Sequence, residues 1–81
     1  MKKFIKYAAN AAFNGYSVAI YQSNSNLYTL QVEKDGTKVR NTKNAQMTPE
    51  EYEALPSDPA NSLVRLNAAM LACDFHLLSN N

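Results

Sequence analysis

The dipeptide Asp35-Gly36 constrains the fold of this chain more than any other short segment. It lies between two runs in which apolar and polar residues alternate. A two-residue type I′ hairpin needs positive φ at both turn positions, and Asp-Gly suits that need. The turn predicts the register Lys34 with Thr37, Glu33 with Lys38, Val32 with Val39, and Gln31 with Arg40. The two valines would then face the core, and the other face would expose polar side chains, including Glu33, whose charges are paired.

Three further segments in the N-terminal half have the pattern of strands. Residues 3–8 are rich in aromatic and branched side chains, and residues 16–21 alternate between apolar and small or polar side chains. Residues 27–34 alternate in the same way, after a turn predicted at 23–26. With 37–40, these segments predict a four-stranded antiparallel sheet. Tyr16 and Tyr28 are predicted to be core residues.

The C-terminal half has the pattern of two helices. The first begins at "TPEE", where Thr48 is predicted as the N-cap, Pro49 as the first helical residue and Glu51 as the partner in a capping box. It is expected to end at Leu55-Pro56.

A second helix is predicted to follow Asp58 as N-cap and Pro59 as its first residue. Its apolar residues form two adjacent stripes: Leu63, Leu66, Met70, Cys73 and Leu77, and Val64, Ala68, Leu71, Phe75 and Leu78. Strands followed by helices predict a single α+β domain over residues 1–81, with both helices packed on one face of the sheet.

Composition narrows the classes of function. The net charge of +1 predicts no concentrated basic surface, and therefore no direct binding of nucleic acid. No apolar run approaches the roughly 20 residues of a membrane span, and no secretory signal pattern is present. Cys73, the single cysteine, is predicted to be a small buried hydrophobe. We therefore expect a cytosolic protein that does not contact membranes.

The residues that could support catalysis are few. His76 is the single histidine, three positions after Cys73, and no third orienting group accompanies the pair. Two ligands make a poor zinc site. Glu50, Glu51 and Glu53 fall in the first turns of the short helix, where carboxylates favour the helix N-terminus. The sequence predicts no enzyme, no metal and no cofactor.

Binding to a partner is the remaining class. Tyr21 alternates onto the face of Ser17 and Ala19, opposite the apolar face of its strand, and Glu33 shares that outward face. Tyrosine is frequent among interface hot spots. Single exposed tyrosines are also common on strands without any function, so the pattern alone leaves both interpretations open.

Several short segments, in their order and spacing, resemble a known family. They are "FIKY" at 4–7, "AIY" at 19–21, "VE" at 32–33, "LP" at 55–56 and "RLNAAM" at 65–70. Together they resemble the type I-F anti-CRISPR proteins, which are phage-encoded inhibitors of the crRNA-guided Csy surveillance complex. The resemblance implies a four-stranded sheet with two helices, and a non-catalytic inhibitor in the cytoplasm of the infected bacterium. It implies binding to the backbone subunits of that complex, which blocks hybridisation of target DNA with the guide.

The same resemblance implies three partner-binding residues, Tyr7, Tyr21 and Glu33. The position of Tyr7 depends on the register of the first hairpin. A tight turn at Asn14-Gly15 alone would pair Tyr7 with Gln22 and turn it toward the core, because a one-residue slip reverses every side chain. A longer loop over 9–14 would place Tyr7 outward with Tyr21, and we favour that register because the alanine-rich segment suits a loop better than a strand.

An alternative function follows from the second apolar stripe of the long helix. A small phage or mobile-element domain could use that stripe to associate with itself or to bind a different partner. An inhibitor of the Csy complex is instead expected to bind as a monomer.

Overall fold

A computed structural model describes residues 2–9, 13–24 and 26–75 of the chain. These described residues form five strands and two helices: β1 (Lys3–Tyr7), β2 (Tyr16–Asn24), β3 (Leu27–Lys34), β4 (Thr37–Lys38), β5 (Ala45–Met47), α1 (Pro49–Glu53) and α2 (Leu63–Ala72). The predicted α+β class is confirmed, and so is the antiparallel sheet.

The sheet has the order β1-β2-β3-β4, and β5 also pairs with β3. β4 lies beside the end of β3 at Glu33 and Lys34, whereas β5 lies beside its beginning at residues 28–30. Both short strands therefore occupy the side of β3 that faces away from β2. The fourth position in the sheet is shared by two short strands instead of being filled by one.

The hairpin between β3 and β4 has the predicted turn. Asp35 and Gly36 have φ of 51° and 86°, and the pairs Lys34–Thr37 and Glu33–Lys38 are present. The Val39 N–H also donates to the Val32 carbonyl at 3.0 Å. The predicted pair of Gln31 with Arg40 is wrong, because the chain turns away from β3 at residues 40–41, where Asn41 has a left-handed φ of 64°.

The first hairpin combines the two arrangements that the sequence left open. Asn14 and Gly15 form a tight turn with φ of 52° and 82°, closed by two backbone hydrogen bonds of 2.9 Å between Phe13 and Tyr16. Further along, Tyr7 pairs with Ala19. Between the Phe13–Tyr16 pair and the Tyr7–Ala19 pair, the N-terminal arm of the hairpin therefore contains more residues than the C-terminal arm. The extra residues reverse the side-chain faces relative to an uninterrupted hairpin, and Tyr7 shares the face of Ala19. The predicted outward register is confirmed, although Asn14 belongs to a turn and not to the loop.

The hydrophobic core lies on the other face of the central strands. Fully buried Val18, Ile20, Leu30 and Val32 form one cluster with Tyr52 of α1 and with Leu66 and Met70 of α2. Tyr16 and Tyr28 are partly buried and pack against this cluster, as predicted. Packing of both helices on one face of the sheet stays a prediction.

Helix α1 begins as predicted. The Glu51 N–H donates to the Thr48 hydroxyl at 3.1 Å, and the Thr48 N–H donates to the Glu51 carboxylate at 2.8 Å. Pro49 occupies the first turn, and the helix ends at Glu53. Two donors at the helix start are therefore satisfied reciprocally.

The beginning of α2 differs from the prediction. Asp58 accepts a hydrogen bond from the Ala60 N–H at 2.9 Å and so closes a turn of its own. The helix begins later, at Leu63, after Ser62 as N-cap, and the Asn61 side chain accepts the Leu63 N–H at 3.1 Å. The prediction of Asp58 as N-cap is wrong, because its carboxylate is engaged in the preceding turn.

The guanidinium of Arg65 ties α2 to the end of α1. It donates to the carbonyls of Tyr52, Glu53 and Pro56 at 3.2, 3.3 and 3.3 Å. These carbonyls lie at and just beyond the last turn of α1, where helix carbonyls lack a full set of intrahelical donors, and the Tyr52 carbonyl also accepts the Leu55 N–H at 3.1 Å. Arg65 therefore stabilises the junction between the two helices.

The two predicted stripes of α2 have different surroundings. In the first stripe Leu66, Met70 and Cys73 are buried and Leu63 is 38% exposed, whereas in the second stripe Leu71 is 43% exposed. Leu63, in the first turn of α2, is therefore the exposed member of the first stripe. The predictions for His76, Leu77 and Leu78 lie outside the described residues.

Candidate functional site

The outward face of the sheet brings the three predicted binding residues together. In β2, Tyr21 pairs with Phe4 of β1 and with Thr29 of β3, and Glu33 pairs with Ser17. Tyr7 lies on the same face through its pairing with Ala19. Three adjacent strands therefore contribute to one surface.

A bulge in β1 adds a fourth side chain to this surface. The pairing register shifts between Phe4 and Lys6, so Phe4 lies opposite Tyr21, while Lys6 lies opposite Ile20 on the core face. In a regular strand Phe4 and Lys6 would share a face, because side chains alternate with a period of two. The extra residue, Ile5, packs against the core and allows Phe4 to point outward.

The three rings form a connected cluster, which we call the aromatic face: Phe4, Tyr7 and Tyr21. The Phe4 ring centre is 5.1 Å from that of Tyr7 and 5.8 Å from that of Tyr21, with edge-to-face geometry in both pairs. Phe4 and Tyr7 are 46% and 47% exposed. Edge-to-face pairs at these distances are favourable, so the rings support one another while they remain open to solvent.

Glu33 lies beside the aromatic face, but it does not project into water. The residue is 4% exposed, and its Oε2 accepts hydrogen bonds from the Tyr21 hydroxyl and from the Gln31 amide, both at 3.1 Å. The predicted face was therefore correct and the predicted exposure was wrong. The Tyr21 hydroxyl and the Gln31 amide contact the carboxylate, and a pattern of alternation cannot indicate such contacts.

One oxygen of Glu33 is available to a further donor. Within the described part of the chain, Oε1 accepts no hydrogen bond, and no buried side-chain oxygen there lacks a partner. Oε1 therefore keeps a small contact with solvent, within a residue that is 4% exposed as a whole. A partly sheltered carboxylate with one open oxygen can accept a strong hydrogen bond from an ammonium or guanidinium group.

The hydroxyl of Tyr21 is held in its protonated form. Burial, the hydrogen bond to Glu33 and the negative charge of that carboxylate raise the pKa of Tyr21 above its ordinary value. The hydroxyl is therefore neutral, and it donates to the Glu33 carboxylate. The Tyr21 side chain and the Glu33 carboxylate therefore form one hydrogen-bonded unit.

The charges near this unit are not paired as the sequence predicted. Lys38 lies opposite Glu33 in β4, but the ion pairs among the described residues are Lys6–Glu53 at 3.7 Å and Lys43–Asp74 at 3.3 Å. Lys2 places its Nζ 5.5 Å from the centre of the Tyr21 ring. Among the described residues, Glu33 accepts hydrogen bonds from neutral groups and forms no salt bridge.

The other chemically interesting residues are dispersed. Cys73 is fully buried, its thiol donates to the Leu30 carbonyl at 3.5 Å, and burial raises the pKa of that thiol. It behaves as the predicted small hydrophobe, because the thiolate is the reactive form. Within the described ranges no group of three or more metal-ligating side chains occurs, and no helix there is long and apolar enough to cross a bilayer. His76 lies outside those ranges.

Phe4 is the site residue that sequence reasoning missed. Alternation from an outward Tyr7 places Phe4 with the core, and nothing in "FIKY" signals a bulge. The comparisons with known proteins add no further site residue: no family model, no curated protein and no solved structure matches this chain.

Proposed function

We propose that this protein is a type I-F anti-CRISPR protein, which binds the backbone subunits of the Csy surveillance complex and blocks hybridisation of target DNA to the guide. The observation that carries the proposal is the junction of the aromatic face with Glu33. The residues that the family resemblance selects, Tyr7, Tyr21 and Glu33, lie on one surface of the sheet. The Tyr21–Glu33 hydrogen bond links two of them directly.

The chemistry of this surface suits a basic partner. Tyrosine and phenylalanine rings offer rigid apolar area for the methylene stem of a lysine or arginine. The open oxygen of Glu33 offers an acceptor for its charged end. A subunit that holds a guide RNA must present basic side chains to the phosphate backbone. The proposed contact is therefore between the aromatic face with Glu33 and lysine side chains of the backbone subunit.

The proposed mechanism requires no chemical step. The protein acts in the cytoplasm of the infected bacterium as a monomer. It occupies the protein surface along the guide and thereby prevents the target strand from pairing. Neither a cofactor nor direct contact with nucleic acid is needed.

An order-of-addition experiment tests this function. Purified protein is incubated with a type I-F Csy complex before labelled target DNA is added, and DNA binding is measured by gel shift. The proposal predicts loss of DNA binding when the protein is added first, and co-elution of the protein with the complex. Absence of co-elution at micromolar protein would refute the proposed function.

Self-association through α2 is the second candidate function. The exposed Leu63 and Leu71, with Val64 and Pro56, line an apolar groove of ≈ 400 Å³, which we call the α2 groove. Exposed apolar area of this kind is a common feature of protein interfaces. Sedimentation equilibrium from about 10 to 500 μM distinguishes the candidates, since micromolar to millimolar dissociation constants span this range. A monomer throughout removes the second candidate, and a dimer that Leu71→Ala abolishes favours it.

A further inference from the structure

The outward position of Phe4 results from the β-bulge in β1. Without the bulge at Ile5, Phe4 would share the core face with Lys6. With it, the ring stands on the outward face, at the centre of the aromatic face, in contact with both tyrosines. Bulges commonly redirect a side chain beside a functional site.

The Phe4 ring contacts the two tyrosines but is not part of the hydrophobic core. Phe4 is 46% exposed and stands outside the core cluster, whereas Ile5, next to it, packs against that cluster. Burial of a phenylalanine ring stabilises a small domain, so a ring left half-exposed forgoes part of that contribution. Its solvent-facing part would be covered only when a partner binds.

We propose that Phe4 is a partner-binding residue and the central anchor of the aromatic face. This inference rests on the proposed function and extends it to a residue that the family resemblance did not select. Phe4 packs against the methylene stem of the basic side chain whose charged end reaches Oε1 of Glu33. The partner therefore offers an alkyl stem that ends in a cation, and the two tyrosines flank that stem.

Two variants and one matched control test the inference in a binding assay with the type I-F Csy complex. Phe4→Ala removes the ring, and Phe4→Tyr restores a ring of the same shape. Leu71→Ala is the control, because Leu71 is 43% exposed, close to the 46% of Phe4, and lies on α2. Thermal unfolding of each variant is measured in parallel, so that binding is compared at a temperature at which every variant is folded.

We expect Phe4→Ala to weaken binding about tenfold or more while remaining folded, with a modest fall in the unfolding midpoint because two ring contacts are lost. Phe4→Tyr and Leu71→Ala should bind within a few-fold of it. If the unmodified protein binds and Phe4→Ala binds equally well, the role of Phe4 is refuted and the proposed function survives. If the unmodified protein does not bind, the proposed function is refuted and the role of Phe4 falls with it. Loss of binding in Leu71→Ala alone would place the interface on α2 and overturn the inference.

Discussion

The hydrogen bond between Tyr21 and Glu33 should couple these residues energetically. Tyr21→Phe removes only the hydroxyl, so the ring contact with Phe4 is retained. The acceptor is a carboxylate that is 4% exposed, at 3.1 Å from the hydroxyl. Hydrogen bonds to charged groups contribute about 1.5–3 kcal/mol to stability. We take the lower end, about 1.5 kcal/mol, because Tyr21 is partly solvated and Gln31 continues to donate to the same oxygen.

A double-mutant cycle isolates this contribution from other effects of each substitution. In a Glu33→Ala background the acceptor is absent, so Tyr21→Phe should then change the free energy of unfolding by little. The predicted coupling of about 1.5 kcal/mol exceeds the roughly 0.3–0.5 kcal/mol scatter of independent sites. Tyr28→Phe is the matched control, because the Tyr28 hydroxyl has no hydrogen-bond partner among the described residues. It should change stability by less than about 0.5 kcal/mol.

Urea unfolding followed by far-ultraviolet circular dichroism measures these differences, and the chain contains no tryptophan that would favour fluorescence. For a domain of this size the slope is about 1 kcal/mol per molar urea, so Tyr21→Phe should lower the midpoint by about 1.5 M. If Tyr21→Phe has the same effect with and without the Glu33 carboxylate, the hydrogen bond does not stabilise the protein and the reasoning fails.

Three further predictions concern the turns, the helix junction and alkaline pH. An alanine must adopt a φ of 86° at Gly36 and of 82° at Gly15, so Gly36→Ala and Gly15→Ala should each lose about 1–2 kcal/mol in urea unfolding. The Asp35 carboxylate near Gly15 ends an exposed side chain that can move aside, so the two losses should be similar, and no loss in either variant would contradict the prediction. Arg65→Lys should lower stability by about 1 kcal/mol, since an ammonium cannot reproduce the fork of donors to the three carbonyls; unchanged thermal unfolding would contradict this. The pKa of Tyr21 is raised in the folded state, so its contribution to stability is present below its ordinary value of 10.0 and is lost as pH rises through the folded value. Urea midpoints near and above that pH should fall more steeply for the unmodified protein than for Tyr21→Phe, and equal slopes would contradict the shift.

The sequence predicted the features that depend on local chemistry. The Asp35-Gly36 turn and the capping box of Thr48 each involve neighbouring residues, so the residue types alone identify them. The alternation in β2 and β3 likewise placed Tyr21 and Glu33 on the outward face. These are the strands that lie at the centre of the sheet, where one face must be buried.

The features that sequence reasoning missed depend on contacts between distant segments. The bulge that turns Phe4 outward is a property of the pairing of β1 with β2, and a five-residue strand carries no local mark of it. The shelter of Glu33 depends on the Tyr21 hydroxyl from another strand. Asp58 had the right residue type for an N-cap, but its turn bond to Ala60 competes with that role. In each case a tertiary or competing contact decided what the local pattern left open.

The most direct test of the account is the affinity of Tyr7→Ala and Tyr21→Ala for the type I-F Csy complex. Tyr7 is 47% exposed, so its truncation should leave the fold intact. We predict that each substitution weakens binding at least about 30-fold, which corresponds to the usual hot-spot threshold of about 2 kcal/mol. Leu71→Ala should bind as the unmodified protein does. Folded tyrosine variants that bind as tightly as the unmodified protein would contradict the assignment of the aromatic face as the binding surface.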